Sequence, residues 1–278
     1  MHLKNFKNII GVLTLGDTSF RTINFKSLNT IIDLTAKNGL TLLQNQVKEM
    51  EKVCDKIYLI LDEALDLHLK ELRDFCRSQN IQLVLLPDLN AYFALYYVSS
   101  RSLKEDLIFF RNLAFVPEGS VDFSSMVRAV DHENSIYQTF IATASLHQDS
   151  TRKNYSFFEF NMKSFHFSDC LQPGFVSESG SLLKWTGILF FKNCLFADLV
   201  FHSGKAAKAP EPFLIQSEKF GYTFPVHSEA RSLKELLGIA FHSPLPLRMA
   251  IHSYPVYNLM NEHDYICYTT TNFDSNHF

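Results

Sequence analysis

Gly16, Asp17, Thr18, Ser19, Arg21 and Lys26 fall within one short stretch, LGDTSFRTINFKSL, directly after a run of apolar residues. These types at this spacing could bind an anion. A glycine frees the backbone to turn tightly, and backbone N–H groups and hydroxyls beyond it can face a phosphate. Arg and Lys can neutralise its charge. The same residues also make an ordinary surface turn with solvated positive charges, because single-glycine loops are common punctuation.

The elements that must position this loop come next. Ile9, Ile10, Val12, Leu13 and Leu15 read as a strand buried on both faces, ending at Gly16. After the turn signal Asn38-Gly39, Leu40, Leu43, Val47 and Met50 recur at helical spacing and predict a helix over 41–53. Lys56 to Leu61 is a second strand, Leu65 to Ser78 a second helix, and Ile81 to Leu86 a third strand closed by Pro87. Alternating strand and helix implies an α/β fold with a parallel sheet. In such sheets ligands bind beyond the carboxyl ends of the strands. The Gly16–Lys26 loop lies at one such end, and the loop with Asp88 and Asn90 lies at another.

Farther on, Tyr92 to Ser102 predicts a helix, and Asp106 to Phe110 a fourth strand with Arg111 and Asn112 at its carboxyl end. Ser124 to Val130 is a short helix. Strands follow at Ile136 to Ser145 and Tyr155 to Asn161, with Phe165 to Phe167 placed to pair with the latter. Pro173 to Ser181 is a loop, Trp185 to Phe191 a strand, Ser203 to Pro212 a small polar segment and Leu233 to His242 a helix. Pro255 to Tyr268 closes the fold, and residues 269–278 are expected to fray.

The totals bound the function. A chain of 278 residues, 46% hydrophobic and 20% charged, is globular. A net charge of -3 gives no reason to expect nucleic acid or an anionic membrane surface as partner. The five cysteines form no CxxC pair, which suits a reduced, cytoplasmic protein. No apolar run reaches the roughly 20 residues that span a bilayer, and none at the amino terminus has a signal peptide's form. Other candidate chemistry reads more simply. His132-Glu133 and His147-x-Asp149 have no metal partner at characteristic spacing and suit solvated loops. Asp62, Glu63 and Asp66 suit a polar helix start. His242, His252, His263 and the Ser179-Gly180-Ser181 loop carry no distinctive pattern. Neither a Gly-x-Ser-x-Gly elbow nor a Walker loop is present.

Taken in order, several segments resemble the sugar-phosphate nucleotidyltransferase family, most of all its choline-phosphate and sugar-phosphate cytidylyltransferase branch. They are LTLGDTSFR followed by KSL at Lys26 to Leu28, GLTLLQNQ at Gly39 to Gln46 and NAYFALYYV at Asn90 to Val98. GSLLKWTGILFFKNCLF at Gly180 to Phe196 and VYNLMNEHDY at Val256 to Tyr265 complete the set. The resemblance covers most of residues 8–265. It implies a Rossmann-like, GT-A-type three-layer sandwich with a mostly parallel sheet. It also implies a single domain over 1–268, with a nucleotide-binding half (1–130) and an acceptor-binding half (131–268).

The reaction implied is attack by a phosphate oxygen of a sugar phosphate or phosphorylated alcohol on the α-phosphorus of a nucleoside triphosphate. Pyrophosphate leaves, and the setting would be surface polysaccharide or lipid-linked glycan synthesis. Arg21 and Lys26 would serve as the catalytic cations. Gly16, Asp17, Thr18, Ser19 and Asn90 would bind the nucleotide, and Lys184 and Gly187 the acceptor. Mg²⁺ is the implied cofactor, but the family's two metal-binding Asp positions fall on Asn112 and Asn258. The loop has one glycine where the family has two or three, and the family's Glu-Lys pair maps near Asp169-Cys170, leaving Lys184 as the nearby cation. A catalytically impaired homologue that binds a nucleotide, sugar nucleotide or protein is the rival reading. A glycosyltransferase of related fold is a third, although the chain shows no Asp-x-Asp motif at a strand end.

Overall fold

The computed structural model describes residues 7–14, 41–62, 69–86, 91–117, 123–124, 126–128, 140–146, 157–161, 166–168, 181–194, 213–216, 223–226, 247–252, 256–259 and 262–272. The predicted helix 233–242, the loop before Ser181 and the segment 203–212 lie outside these residues.

The apolar run near the amino terminus forms β1 (Ile9–Thr14), buried along its whole length. Its neighbour in sequence is α1 (Leu42–Glu51), which starts at a capping box. The Thr41 hydroxyl accepts from the Gln44 N–H at 3.2 Å, and the Gln44 side-chain oxygen accepts from the Thr41 N–H at 2.9 Å. Leu42, Leu43, Gln46, Val47 and Met50 make its buried stripe. Next come β2 (Lys56–Asp62), α2 (Leu69–Ser78) and β3 (Gln82–Leu86). Helix α2 stops in a Schellman motif. Asn80 takes the left-handed conformation at φ 54, Ile81 N–H donates to the Cys76 carbonyl at 2.8 Å, and Asn80 N–H donates to that of Arg77 at 3.3 Å. Helix α3 (Ala91–Ser99) and β4 (Leu107–Asn112) complete the first half.

The remaining elements are β5 (Phe115–Pro117), β6 (Phe140–Leu146), β7 (Phe157–Asn161), β8 (His166–Ser168), β9 (Ser181–Lys192), β10 (Phe213–Gln216), β11 (Thr223–Val226), β12 (Leu247–His252), β13 (Val256–Asn258) and α4 (Glu262–Asn272). The main sheet runs β12-β6-β9-β4-β1-β2-β3, and β7 and β8 are added alongside β9. Along that path β9 alone opposes the rest, pairing antiparallel with both β4 and β6. The sheet is therefore mostly parallel, as the strand–helix alternation requires, with one reversed strand that local sequence pattern does not announce. The expected pairing of the segment near Phe165 with the strand before it is present, as β8 against β7.

Side chains alternate across a strand, so each central strand supplies both faces. One face carries Ile9, Leu13, Leu59, Leu61, Leu107, Phe109, Ile188 and Phe190, packed with α1, α2, Phe123 and Tyr268. Phe109 stacks on Phe190 with ring centroids 4.5 Å apart. The opposite face carries Ile10, Val12, Tyr58, Ile60, Ile108 and Phe110, all buried, and α3 packs there; the Tyr58 and Tyr97 rings meet edge-on at 6.3 Å. Burying each Leu, Ile or Phe contributes roughly 1.5–3 kcal/mol, so these two faces dominate stability. Three layers result: helices, sheet, helix.

The amino-terminal edge of the sheet is stitched by two aspartates. Asp55 accepts from Ile9 N–H at 2.7 Å. Asp106 accepts from the Asn8 side chain and from Leu103 N–H, both at 2.8 Å. Buried Asn193, just past β9, donates to the carbonyls of Ser99 and Ser102 at 2.9 and 3.1 Å, tying the end of α3 to the sheet.

The expectation that residues 269–278 fray is corrected in part, since α4 continues to Asn272. Its threonines return their hydroxyls to the helix: Thr269 bonds the Tyr265 carbonyl at 2.8 Å and Thr270 that of Ile266 at 2.7 Å. Tyr268 and Thr269 are buried. Burial pushes the Tyr268 phenol up from its ordinary 10.0 to about 12; Glu49 adds to the rise and Arg111 opposes it. Burial likewise pushes the Cys76 thiol from 9.0 to about 11. Raised values mean that the folded state holds these protons more tightly than the unfolded chain does. Their stabilisation is complete below the unfolded values and is lost as pH rises through the folded ones. Melting temperature should therefore fall from about pH 9 to 12, and Tyr268→Phe should remove the part that appears above pH 10. A pH series of melting curves on both proteins checks this, and identical alkaline slopes would exclude Tyr268 as a contributor.

Candidate functional site

The strand order places a reversal of winding beside β1. From β1 the chain proceeds to β2 and β3 on one side, then β4 crosses to the other side of β1. The carboxyl ends of β1 and β4 therefore form a topological switch point, where open α/β sheets bind ligands. Thr14 ends β1 and Asn112 ends β4, and the two are partners in the parallel register. They project to the same face, the one covered by α3. Both are buried, at 0% and 2% exposure.

A tight turn closes this edge. Asn112 Oδ1 accepts from Ala114 N–H at 3.0 Å, and Leu113 N–H donates to the Thr14 carbonyl at 2.9 Å. Strand β5 then pairs with β13, with Phe115 opposite Asn258, and Leu259 N–H donates to the Ala114 carbonyl at 2.8 Å. The backbone thus brings Asn112 and Asn258 to one corner. Gln46 of α1 braces the turn from below, donating to the Leu113 carbonyl at 3.1 Å.

Strand β9 supplies the next wall. The register ends with Arg111 opposite Ile188, so Ser181 to Thr186 run on past the end of β4. Lys184 lies on that extension, opposite Ser145 of β6 and Phe157 of β7. Gly187 sits where β9 crosses β5. Its φ is +79, and a Cβ there would come within 2.7 Å of the Phe115 Cβ. Only glycine combines that conformation with that approach, which accounts for Gly187 by packing without any ligand.

Arg111 does not face this edge. Alternation puts it on the opposite face from Asn112, where it is 1% exposed. Its Nη1 donates to Glu49 Oε2 of α1 at 3.0 Å, and its guanidinium lies 5.0 Å from the centre of the Phe123 ring. Charge at a strand end reads from sequence as site chemistry; here it anchors a helix.

Gly16, Asp17, Thr18, Ser19, Arg21, Lys26 and Asn90 lie outside the described residues. Thr14, which the sequence reading did not single out, carried one usable signal: a polar residue at the end of a strand otherwise made of apolar residues and glycine.

The described residues do not fit a protein-held Mg²⁺. Such ions are held through one or two carboxylates with phosphates and water. Asn112 is neutral, and its side-chain oxygen already serves the turn. Among the described residues no group of three His, Cys, Asp or Glu side chains could hold a metal ion. No described helix is long and apolar enough to cross a membrane.

No protein-family model matches the chain, and no curated protein matches it in sequence. Solved structures do match in fold. One from Bacillus anthracis, named provisionally as a glucose-1-phosphate thymidylyltransferase and holding a sucrose, superposes with TM-score 0.64 at 10% identity over 97% of both chains. A UTP-bound UGPase from Acinetobacter baumannii gives 0.60 at 9% identity, covering 95% of this chain and 93% of that one. The CTP:phosphocholine cytidylyltransferase of Streptococcus pneumoniae gives 0.57 at 14% identity, covering 95% and 99%. The chain has the Rossmann-like fold of the sugar-phosphate nucleotidyltransferases along nearly its whole length.

Proposed function

We propose that this protein is a divergent nucleotidyltransferase that transfers a nucleotidyl group from a nucleoside triphosphate to a sugar phosphate or a phosphorylated alcohol. The observation that carries the proposal is the shared full-length fold together with a buried polar pair, Thr14 and Asn112, at its switch point. In the reaction a phosphate oxygen of the acceptor forms a bond to the α-phosphorus. The α–β bridging bond breaks, and pyrophosphate carries away the electron pair. Both reactants are anions, so the residues must position them and offset charge. Arg21 and Lys26 take that role. The Gly16–Ser19 loop and Asn90 hold the nucleotide, and Lys184 and Gly187 lie on the acceptor side. Glycan precursor synthesis is the setting that suits a sugar-phosphate acceptor. A cytoplasmic location suits a chain whose five cysteines form no CxxC pair.

Calorimetric titration with CTP, UTP, dTTP, ATP and GTP tests the nucleotide site, with Mg²⁺ present as the counter-ion of the triphosphate. Pyrophosphate release across a panel of sugar phosphates and phosphorylated alcohols tests transfer. Release with one nucleotide–acceptor pair is expected. Absence of binding to all five nucleotides would end the proposal; tight binding with no release across the panel would replace transfer with ligand binding alone.

A further inference from the structure

The Thr14 hydroxyl is fully buried, and it has no hydrogen-bond partner among the described residues. Buried polar side-chain atoms are nearly always paired, so an exception marks a place where a partner such as a water or a ligand group fits. Thr14 stands at the switch point, on the face that α3 covers. The β3–α3–β4 unit runs α3 back against the strands, so its first residues start from this same edge. Among the described residues, the side chains beside it on this face carry no charge. Asn112, its register partner, is neutral and spends its oxygen on Ala114 N–H. The neighbouring cation, Arg111, points through the sheet to Glu49.

We propose that Thr14 Oγ donates a hydrogen bond to an uncharged oxygen of the bound nucleoside, either a base carbonyl or a sugar hydroxyl. Thr14 is then a specificity residue, and the phosphates are neutralised elsewhere. The inference rests on the nucleotidyltransferase reading above.

Thr14→Val in the chain of 278 residues tests it, since valine keeps the branched shape and puts a methyl where the hydroxyl was. With no partner to lose among the described residues, the ligand-free variant should melt at the wild-type temperature or about 2 °C higher. Its affinity for whichever triphosphate the wild type binds should fall about tenfold. Affinity for inorganic pyrophosphate should not change, and Thr14→Ser should keep most of the triphosphate affinity. The 2′-deoxy and 2′,3′-dideoxy forms of the same triphosphate separate the two oxygens: a loss that disappears with either assigns the sugar, and a loss that persists with both assigns the base. Several results would overturn the inference. One is a ligand-free variant that melts more than about 4 °C lower, because the hydroxyl then has a structural partner. Others are an unchanged triphosphate affinity, or an equal loss for pyrophosphate. A wild type that binds no triphosphate overturns the proposed function and this inference with it. A wild type that binds normally beside an unaffected Thr14→Val overturns the inference alone.

Discussion

Arg111→Ala should destabilise the protein by about 3 kcal/mol, the low end of the range for breaking a buried ion pair. The arginine is 1% exposed in an apolar layer, and its partner Glu49 keeps only 27% of its side chain in solvent. Removing the cation leaves that carboxylate without its 3.0 Å partner and opens a void beside Phe123 and Tyr268. Partial solvent access at Glu49 keeps the effect at the low end. Ion pairing and packing can be told apart, because apolar residues of similar size restore packing without charge. Arg111→Met combined with Glu49→Leu should therefore return to within about 1 kcal/mol of the wild type. Urea unfolding of the three proteins measures both values. If Arg111→Ala loses less than about 1 kcal/mol, the pair contributes no more than a surface salt bridge does.

The larger functional effect is expected at Arg21 and Lys26. Alanine at either position should lower kcat/KM for pyrophosphate release about 100- to 1000-fold, the size seen when one preorganised group that stabilises the transition state is lost. The expectation is this large because the proposed reaction brings two polyanions together, and the resemblance implies neutral Asn112 and Asn258 at the family's metal positions; on that reading side-chain cations carry more of the charge that develops at the α-phosphorus. Lys26→Arg keeps the charge but changes its geometry, and should recover activity only in part. Steady-state kinetics on folded variants, verified by circular dichroism, provide the test. Both alanine variants within threefold of the wild type would remove these residues from the mechanism.

The first half of the fold was legible because each element advertised itself. Continuous apolar runs marked β1, β2 and β4, and Leu43, Val47 and Met50 marked the buried stripe of α1. What was not legible depends on distant partners. Nothing near Trp185 announces that its strand reverses and lies between β4 and β6, because that pairing joins segments far apart in sequence. Helix α4 as a whole did not read as a helix from sequence, where Pro255 to Tyr268 only closes the fold and the tail is expected to fray; Thr269, Thr270 and Thr271 are weak helix formers. Packing of Tyr268 and back-bonding of the hydroxyls override that preference. In the site, Asn112 was placed correctly at its strand end, but its commitment to the turn was not visible, since an amide's partner depends on local backbone geometry. The inward turn of Arg111 follows from strand alternation and was available in principle: it shares parity with the buried Leu107 and Phe109.

The reversed central strand also shapes how the chain is made. Asn112 finishes β4, yet the neighbour that covers its outer side ends only at Lys192, about 80 residues later. At a synthesis rate of roughly 5–20 residues per second, a nascent chain carries that apolar margin uncovered for on the order of 4–16 s. Leu107, Ile108, Phe109 and Phe110 would be on offer to any passing strand throughout that interval. Shielding of that margin by ribosome-bound chaperones, or faster synthesis up to residue 192, would shorten the interval in which it can pair wrongly.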